Sequence, residues 1–219
     1  MILCVEDVLT TDELSQAREI LAGVAFEDGS ATPSAQAPSA DRNEQAVASD
    51  GQSRAATLVA SAVMRNLLFQ MAVVPKTISS IVFNRHSEGL SYGHRVDPAL
   101  INGRRSDVSF TVFLTDPEDY GGGELVMALP HGDQPIKLPA GQMVAYPSAT
   151  LYEVAEVTSG ARLCAVGYVR SLVRDPTARE ILFDIEMVRR ALLDRNGPGR
   201  ENDLLGKSYA NLMRRWAED

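Results

Sequence analysis

The chain has 219 residues, of which 45% are hydrophobic and 23% charged, as expected for an ordinary globular domain with a full core. The formal net charge of −8 argues against a general nucleic-acid binder, which would carry an excess of Lys and Arg to neutralise phosphates. The two cysteines, Cys4 and Cys164, form no spacing motif, which is typical of a reducing, cytoplasmic setting. No apolar run approaches the roughly 20 residues that cross a bilayer, so we expect no membrane partner.

The N-terminal quarter of the chain predicts two helices and a long connection between them. A first helix is expected to begin at Thr10 or Thr11, where acidic residues follow a capping hydroxyl, and to end at Gly23. Residues 27–53 are rich in Ser, Ala, Pro and Asp and indicate a loop, which is either a mobile surface segment or a lid over a site. A second helix is predicted over 54–73.

From Ile78 onward, short β-branched or aromatic runs alternate with Gly, Pro and Asp: ISSIVFNR, DVSFTVFLTD, GELVMAL, QPIKLPAG, QMVAYPSA and ARLCAVGYVRS. Several short strands at this spacing indicate an antiparallel sandwich or barrel. We therefore expect a β-rich domain over 1–175 that includes the N-terminal helices.

After Arg174 the apolar period becomes helical, in two runs that the sequence NGPG (196–199) separates. The stripe of the first run is formed by Ile181, Ile185, Val188 and Leu192. We expect residues 176–219 to form a helical extension whose apolar stripes are buried, either on the β-domain or on a partner subunit. A homodimer is thus one open alternative.

Seven ordered segments resemble the PKHD-type hydroxylases, which are bacterial relatives of the prolyl hydroxylases among the Fe(II)/2-oxoglutarate dioxygenases. They are FNR, the SYG and VD stretch, FLTDPEDYGGGELV, KLPAGQMVAYPSATL, VTSGAR, SLVRDPTAREILFD and NLMRRWAED. The resemblance implies a mainly β fold, a double-stranded β-helix (a cupin-like jelly roll) with helices at both ends. It also implies iron held by two imidazoles and one carboxylate, with three positions open for 2-oxoglutarate and oxygen.

When the family's site residues are matched to this sequence one by one, the surrounding segments agree, but the residues at the two nitrogen-ligand positions differ. The family's His-x-Asp pair falls on Arg95 and Asp97, and its distal histidine falls on Tyr152. The arginine that pairs with the far carboxylate of the cosubstrate falls on Arg162, and a frequent tyrosine falls on His86. Both nitrogen ligands are therefore replaced, while the carboxylate and the anchoring arginine are present.

The replacement has a direct physical meaning, because a guanidinium has no lone pair to give a metal and its charge repels Fe²⁺. We expect Arg95 to form an ion pair with Asp97 on the same strand face, with Tyr152 opposite, and we expect no metal or other cofactor. One alternative retains Fe(II) and 2-oxoglutarate. In that case a bulge would turn His94 inward to join Asp97 and His86 as ligands.

Arg162 supports a separate prediction, since a retained cation could still bind a small carboxylate. The hydroxyl groups of Tyr92 and Tyr146 would add donors nearby, with His86 as a further ligand-binding residue. The alternative is that Arg162 pairs with an acid of the protein itself, such as Glu153 or Glu124.

Three functions follow from this pattern. The favoured one is a repurposed, metal-independent lyase, isomerase or cyclase that acts on a small carboxylate. Its acid–base or electrostatic groups would be Arg95, Asp97, Tyr152 and either His94 or His86. The second is a non-catalytic protein that binds a ligand or partner. The third is a 2-oxoglutarate-dependent oxygenase with unusual metal ligands.

Overall fold

The computed structural model describes residues 1–29 and 43–218. These residues contain five helices: α1 (Thr11–Ala22), α2 (Asp50–Arg65), α3 (Leu67–Val73), α4 (Pro176–Asn196) and α5 (Arg200–Trp216). The first predicted helix is confirmed, with a reciprocal cap at its start. The hydroxyl of Thr10 accepts from the Glu13 amide at 3.2 Å, while the Glu13 carboxylate accepts from the Thr10 amide at 2.9 Å.

Two antiparallel sheets face each other. The major sheet contains, in spatial order, β1 (Leu3–Val5), β12 (Met143–Pro147), β8 (Val108–Phe113), β14 (Val157–Ser171), β4 (Pro75–Ser87), β3 (Glu44–Ala46) and β2 (Phe26–Asp28), with β9 (Tyr120–Gly122) attached to β14. The minor sheet contains β11 (Gly132–Ile136), β10 (Leu125–Leu129), β13 (Tyr152–Val154) and β5 (Tyr92–Arg95). A hairpin of β6 (Leu100–Ile101) and β7 (Arg104–Arg105) stands apart. The predicted jelly roll with flanking helices is confirmed.

The single helix predicted over 54–73 is wrong, because the chain breaks at Asn66. The backbone of Asn66 is extended, and its side-chain oxygen caps α3 by accepting from the Phe69 amide at 3.0 Å. The two helices are bent by 79°. In the described residues no single helix is long and apolar enough to cross a bilayer, although α2 and α3 together satisfy that test of length and composition.

The loop predicted over 27–53 is wrong at both of its ends. Strands β2 and β3 pair with each other, and β3 extends the major sheet by pairing with β4. The carboxylate of Glu44 fixes this register, because it accepts two hydrogen bonds from Arg85 at 2.7 and 3.0 Å. The remaining part of the predicted lid, residues 30–42, lies outside the described residues.

The major sheet has an apolar layer on each face. Its outer face packs against α1, α2 and α3 around Phe110, whose ring meets that of Phe69 edge to face with centroids 5.9 Å apart. Its inner face packs against the minor sheet around Phe113, Met127 and Tyr146. Because side chains alternate between faces along each strand, every second residue of β4 and β14 points between the sheets.

The C-terminal helices pack on the end of the major sheet, although the buried face of α4 differs from the prediction. Helix α4 buries Ala178 and Leu182 against Val74 and Val173. Two members of the predicted buried stripe, Ile181 and Val188, are instead 42% and 52% exposed. The neighbouring positions 178 and 182 also repeat at helical spacing, so periodicity alone did not identify the packed face. The proposed division of the chain at residue 175 stays a prediction.

Gly167 offers a test of this packing. It lies opposite Phe110 on the neighbouring strand, and a Cβ added there would overlap the Phe110 ring, which is fully buried. We expect Gly167→Ala to lower the free energy of unfolding by about 1–3 kcal/mol through overpacking. Urea denaturation measures this change.

Gly206 in α5 provides a matched control for that substitution. A Cβ at this position would meet the Cδ of Arg189 at 3.7 Å, an ordinary contact. We expect Gly206→Ala to raise the free energy of unfolding by about 0.5–1 kcal/mol, because alanine favours a helix more than glycine does. A stability of Gly167→Ala equal to or above that of the wild type would contradict this account of the outer layer, whereas a loss of stability in Gly206→Ala would only invalidate the control.

Candidate functional site

A cavity of about 220 Å³ lies between the two sheets. Seven of the eight residues that the sequence singled out line it: His86, Tyr92, Arg95, Asp97, Tyr146, Tyr152 and Arg162. They come from both sheets and from the segment after β5, which crosses from one sheet towards the other. The fold thus brings together residues that are up to 76 positions apart in the sequence, from 86 to 162.

Arg95, Asp97 and Tyr152 converge in one corner of the cavity. Tyr152 on β13 is the cross-strand partner of Arg95 on β5. The Tyr152 hydroxyl donates to Oδ1 of Asp97 at 2.8 Å. Asp97 follows the end of β5 by two residues, and its side chain is buried. The three positions that the family resemblance grouped are therefore neighbours in space.

The predicted Arg95–Asp97 ion pair is wrong. No ion pair joins the two residues in the part of the chain that the structure describes. The Arg95 guanidinium lies over the ring of Tyr92, and its Nε donates to the carbonyl of Gly93 at 3.3 Å. The prediction assumed that residues 95 and 97 share one strand face, but β5 ends at Arg95 and the alternation ends with it.

Burial sets the protonation of Asp97 and Tyr152. It raises the pKa of Asp97, and the opposing effects of the Ser109 and Tyr152 hydroxyls and of the Arg95 charge are smaller. Burial also raises the pKa of Tyr152 well above its ordinary value, and the nearby Asp97 adds to this effect. Tyr152 is consequently a phenol that donates a hydrogen bond. The second oxygen of Asp97, Oδ2, is buried without a hydrogen-bond partner among the described residues.

His86 is a buried, neutral imidazole. It lies opposite Arg162 on the neighbouring strand, and its ring meets the edge of Tyr92 with centroids 6.2 Å apart. Burial lowers the pKa of His86 to about 3, and the charges of Arg162 and Arg95 act in the same direction. Neither ring nitrogen has a hydrogen-bond partner among the described residues, so a donor and an acceptor are both free.

Arg162 is a buried cation, only 2% exposed. Its Nη1 donates to the sulfur of Cys164 at 3.0 Å, and its guanidinium lies 5.3 Å from the ring centroid of Phe113. Nε has no partner, and no described carboxylate lies within ion-pair distance. The alternative in which Arg162 pairs with Glu153 or Glu124 is therefore wrong. A buried cation without a counter-ion is costly, which favours the arrival of an anion.

His94 lies outside the cavity. Its side chain is 56% exposed, and Nδ1 lies 2.9 Å from the carboxylate of Glu153 on the outer face of the minor sheet. His94 points away from the cavity, as strand alternation predicted. The pairing of β5 with β13 does shift register between Tyr92 and Arg95, but this irregularity does not turn His94 inward. The prediction of His94 as a catalytic group or a metal ligand is wrong for this structure.

The sequence did not single out several residues of the cavity wall. They extend the inner rows of β4 and β14 beyond His86 and Arg162: Ser80, Val82, Asn84, Cys164, Val166 and Tyr168. Alternation counted from Arg162 in ARLCAVGYVRS would have identified the last three. Alternation counted back from His86 would likewise have identified Asn84, Val82 and Ser80 on β4.

The residues present do not fit an iron ion. No group of three His, Cys, Asp or Glu side chains in the described ranges, 1–29 and 43–218, is placed to hold a metal. Oδ1 of Asp97 already accepts a hydrogen bond from the Tyr152 hydroxyl, so only Oδ2 lacks a partner among the described residues. The Arg95 guanidinium has no lone pair to give a metal. A small carboxylate, in contrast, fits Arg162, because an unpaired buried guanidinium can donate to its oxygens.

Comparisons with known proteins agree with this fold. Residues 72–170 match the family model of the 2OG-Fe(II) oxygenase superfamily. The chain is 47% identical to a PKHD-type hydroxylase of Acaryochloris marina over 223 residues, and 43% identical to one of Maricaulis maris over 219 residues, with both chains fully covered in each case.

The similar solved structures are more distant. A Pseudomonas putida prolyl-4-hydroxylase has a TM-score of 0.58 at 19% identity and covers 78% of this chain and 92% of its own. The non-heme alpha-ketoglutarate-dependent epimerase SnoN from nogalamycin biosynthesis has a TM-score of 0.55 at 17% identity, with 80% of each chain covered. At such identities the likeness concerns the fold.

Proposed function

This chain belongs to the PKHD-type hydroxylase family, and we propose that it is a metal-independent member that binds a small carboxylate and carries out acid–base chemistry on it. One observation supports the proposal above all. Arg162, His86 and Asp97 border the same cavity, and each has a buried polar atom without a partner among the described residues. Buried polar groups are nearly always satisfied, so three together indicate a missing ligand.

Arg162 and His86 would bind the carboxylate. The guanidinium supplies the charge and the fork geometry that suit two carboxylate oxygens, and the neutral imidazole can add one N–H. Tyr92 and Tyr146 line the same cavity, and their hydroxyls would add donors. No carboxylate in the described part of the chain pairs with Arg162, so the described residues leave this end of the cavity positively charged before a ligand enters.

Asp97 would move the proton at the other end of the ligand. Its raised pKa lets it hold and release a proton nearer to neutral pH than an ordinary aspartate does. Tyr152 orients it through the 2.8 Å hydrogen bond and leaves Oδ2 free for the substrate. The Arg95 charge beside this pair would stabilise a developing oxyanion. An isomerase, lyase or cyclase would use such a set without a metal.

A binding role without turnover is the second candidate. The Asp97–Tyr152 hydrogen bond favours it, because it ties both groups to each other and leaves one oxygen for the ligand. Solvent deuterium exchange separates the two candidates. Metal-free protein incubated with bound carboxylates in D₂O should incorporate deuterium into one of them if Asp97 transfers protons to carbon, and Asp97→Asn should stop it.

The decisive experiment is a titration of metal-free protein with pentanoate, followed by calorimetry or NMR. We expect the wild type to bind, and Arg162→Met to bind at least tenfold more weakly, because loss of a buried charge-assisted pair is costly. Arg179→Met is the matched control, since Arg179 is also buried but donates to the carbonyls of Val173 and Arg174. Binding that requires added Fe(II), or purified protein that retains stoichiometric iron, would overturn the proposal.

A further inference from the structure

The inner rows of β4 and β14 change in character along the cavity. The cross-strand pairs, in order, are His86 with Arg162, Asn84 with Cys164, Val82 with Val166 and Ser80 with Tyr168. From the His86–Arg162 pair to the Ser80–Tyr168 pair, the cavity wall is therefore first cationic, then weakly polar, then apolar, and finally lined by hydroxyl-bearing residues. A ligand that follows this wall meets a charge at one end, a hydrocarbon surface in its middle and hydroxyl groups at the other end.

Arg162 and Asp97, each with one buried polar atom that lacks a partner among the described residues, mark the ends of this path. The Arg162 guanidinium reaches the level of Cys164, since Nη1 lies 3.0 Å from its sulfur. Asp97 lies near the level of Tyr168. Its partner Tyr152 contacts the ring of Tyr146, with centroids 5.6 Å apart, and Tyr146 and Tyr168 are the two cross-strand partners of Ser109. Four residues separate the two levels on β14, which is about 13 Å at roughly 3.3 Å per residue.

That distance sets the length of the ligand. Two hydrogen bonds of about 2.8 Å each leave roughly 7 Å between the end atoms of the ligand. In an extended chain each bond of about 1.5 Å advances the chain by roughly 1.25 Å, so the six bonds of a five-carbon chain with a polar atom at each end span about 7.5 Å. The middle of the chain would lie against Val82 and Val166, which suits methylene groups.

The chemistry of the far end follows from Asp97. Tyr152 occupies Oδ1, and Oδ2 is buried without a partner among the described residues. An ionised carboxylate oxygen can only accept a hydrogen bond, so the complementary group must donate one. A second carboxylate at this place would be repelled by the carboxylate of Asp97. The Arg95 guanidinium would not offset this repulsion, because it lies over the ring of Tyr92 and donates to the carbonyl of Gly93.

We infer that the ligand is bifunctional, with a carboxylate at Arg162 and a hydroxyl or amine donor at Asp97, joined by an apolar chain of about five carbons. This inference rests on the proposed function, because it places the carboxylate at Arg162 in a metal-free cavity. It excludes five-carbon dicarboxylates such as glutarate as preferred ligands, although their length is the same.

Three ligands of equal chain length test the inference: 5-hydroxypentanoate, pentanoate and glutarate, each titrated at pH 8 into metal-free protein. We expect 5-hydroxypentanoate to bind at least tenfold more tightly than the other two, the size of one hydrogen bond to a charged group. Failure of all three to bind would refute the proposed function itself. If glutarate binds as tightly as 5-hydroxypentanoate or more tightly, the ligand does not need a hydrogen-bond donor at Asp97. The second carboxylate would then bind Arg95, and only the inference about the donor would be refuted.

Asp97→Asn supplies the second arm of the experiment. The amide keeps the shape of the side chain and removes its charge. We therefore expect the affinity for glutarate, relative to that for 5-hydroxypentanoate, to rise at least tenfold. Asp133→Asn on the exposed strand β11 is the control and should leave the ratio unchanged. An unchanged ratio in folded Asp97→Asn would show that Asp97 does not contact the ligand and would overturn the inference.

Discussion

Replacing Arg95 and Tyr152 together by histidine is expected to produce a protein that holds about one divalent metal ion per chain, as a facial triad does. The two positions are cross-strand partners, and the Tyr152 hydroxyl already lies 2.8 Å from the Asp97 carboxylate. Two imidazoles at these positions would therefore stand beside Asp97. The substitution also removes the permanent charge of Arg95, which opposes a cation in the wild type.

Metal content measured after incubation with Fe(II) or Ni(II) and desalting tests this prediction. Arg95→His combined with Tyr152→Phe supplies one imidazole less and should retain far less metal. Adding His94→Ala to the double-histidine protein should change nothing, because His94 lies on the outer face beside Glu153. The prediction fails if the wild type retains as much metal as the double variant, or if the folded double variant retains none.

The strands of the fold could be predicted because their side chains alternate between two apolar layers. In β8 and β14 both faces are buried, and the runs DVSFTVF and ARLCAVGYV therefore contain few charges. Strands β2 and β3 escaped prediction because each has three residues and carries acidic or polar side chains. Their position depends on the contact of Glu44 with Arg85, which is 41 residues away and leaves no local signal.

The helix break at Asn66 was missed for a similar reason. Apolar residues continue on both sides of it, so the hydrophobic pattern does not end where α2 ends. What interrupts the helix is a side-chain cap, in which Asn66 satisfies an amide of α3. Asparagine is a good cap and an acceptable helix residue, and only the packing of α3 against the major sheet decides between the two.

The residues of the site were easier to predict than their contacts. The family resemblance placed Asp97, Tyr152 and Arg162 in one pocket, and all three line the cavity. It could not give the partner of Asp97, which depends on where β5 ends and how β13 is registered against it. Likewise, the isolation of His86 is its lack of a hydrogen-bond partner among the described residues, which depends on how the packed interior places the groups around it and is not encoded in the sequence nearby.

That isolation leads to the second large effect, a loss of stability in mild acid. The pKa of His86 is lowered to about 3 in the folded protein, against 6.5 in an exposed histidine. Between these values the unfolded chain binds a proton that the folded protein excludes, so stability falls as pH falls. From pH 6.5 to 4.5 we expect His86 alone to lower the free energy of unfolding by about 2–3 kcal/mol.

Denaturation curves of the wild type and of His86→Gln across this pH range measure the effect as a difference in slope. Glu13, whose pKa is lowered from 4.5 to about 2, loses most of its contribution below pH 4.5 and is present in both proteins. Asp97 acts in the opposite direction, because its raised pKa favours the folded state as pH falls, but it is present in both proteins. His131→Gln, in the exposed turn before β11, is the control for the removal of a histidine elsewhere in the chain. Parallel curves for the wild type and His86→Gln would mean that His86 takes up a proton in the folded cavity. It could then no longer serve as the neutral donor that the proposed carboxylate site requires.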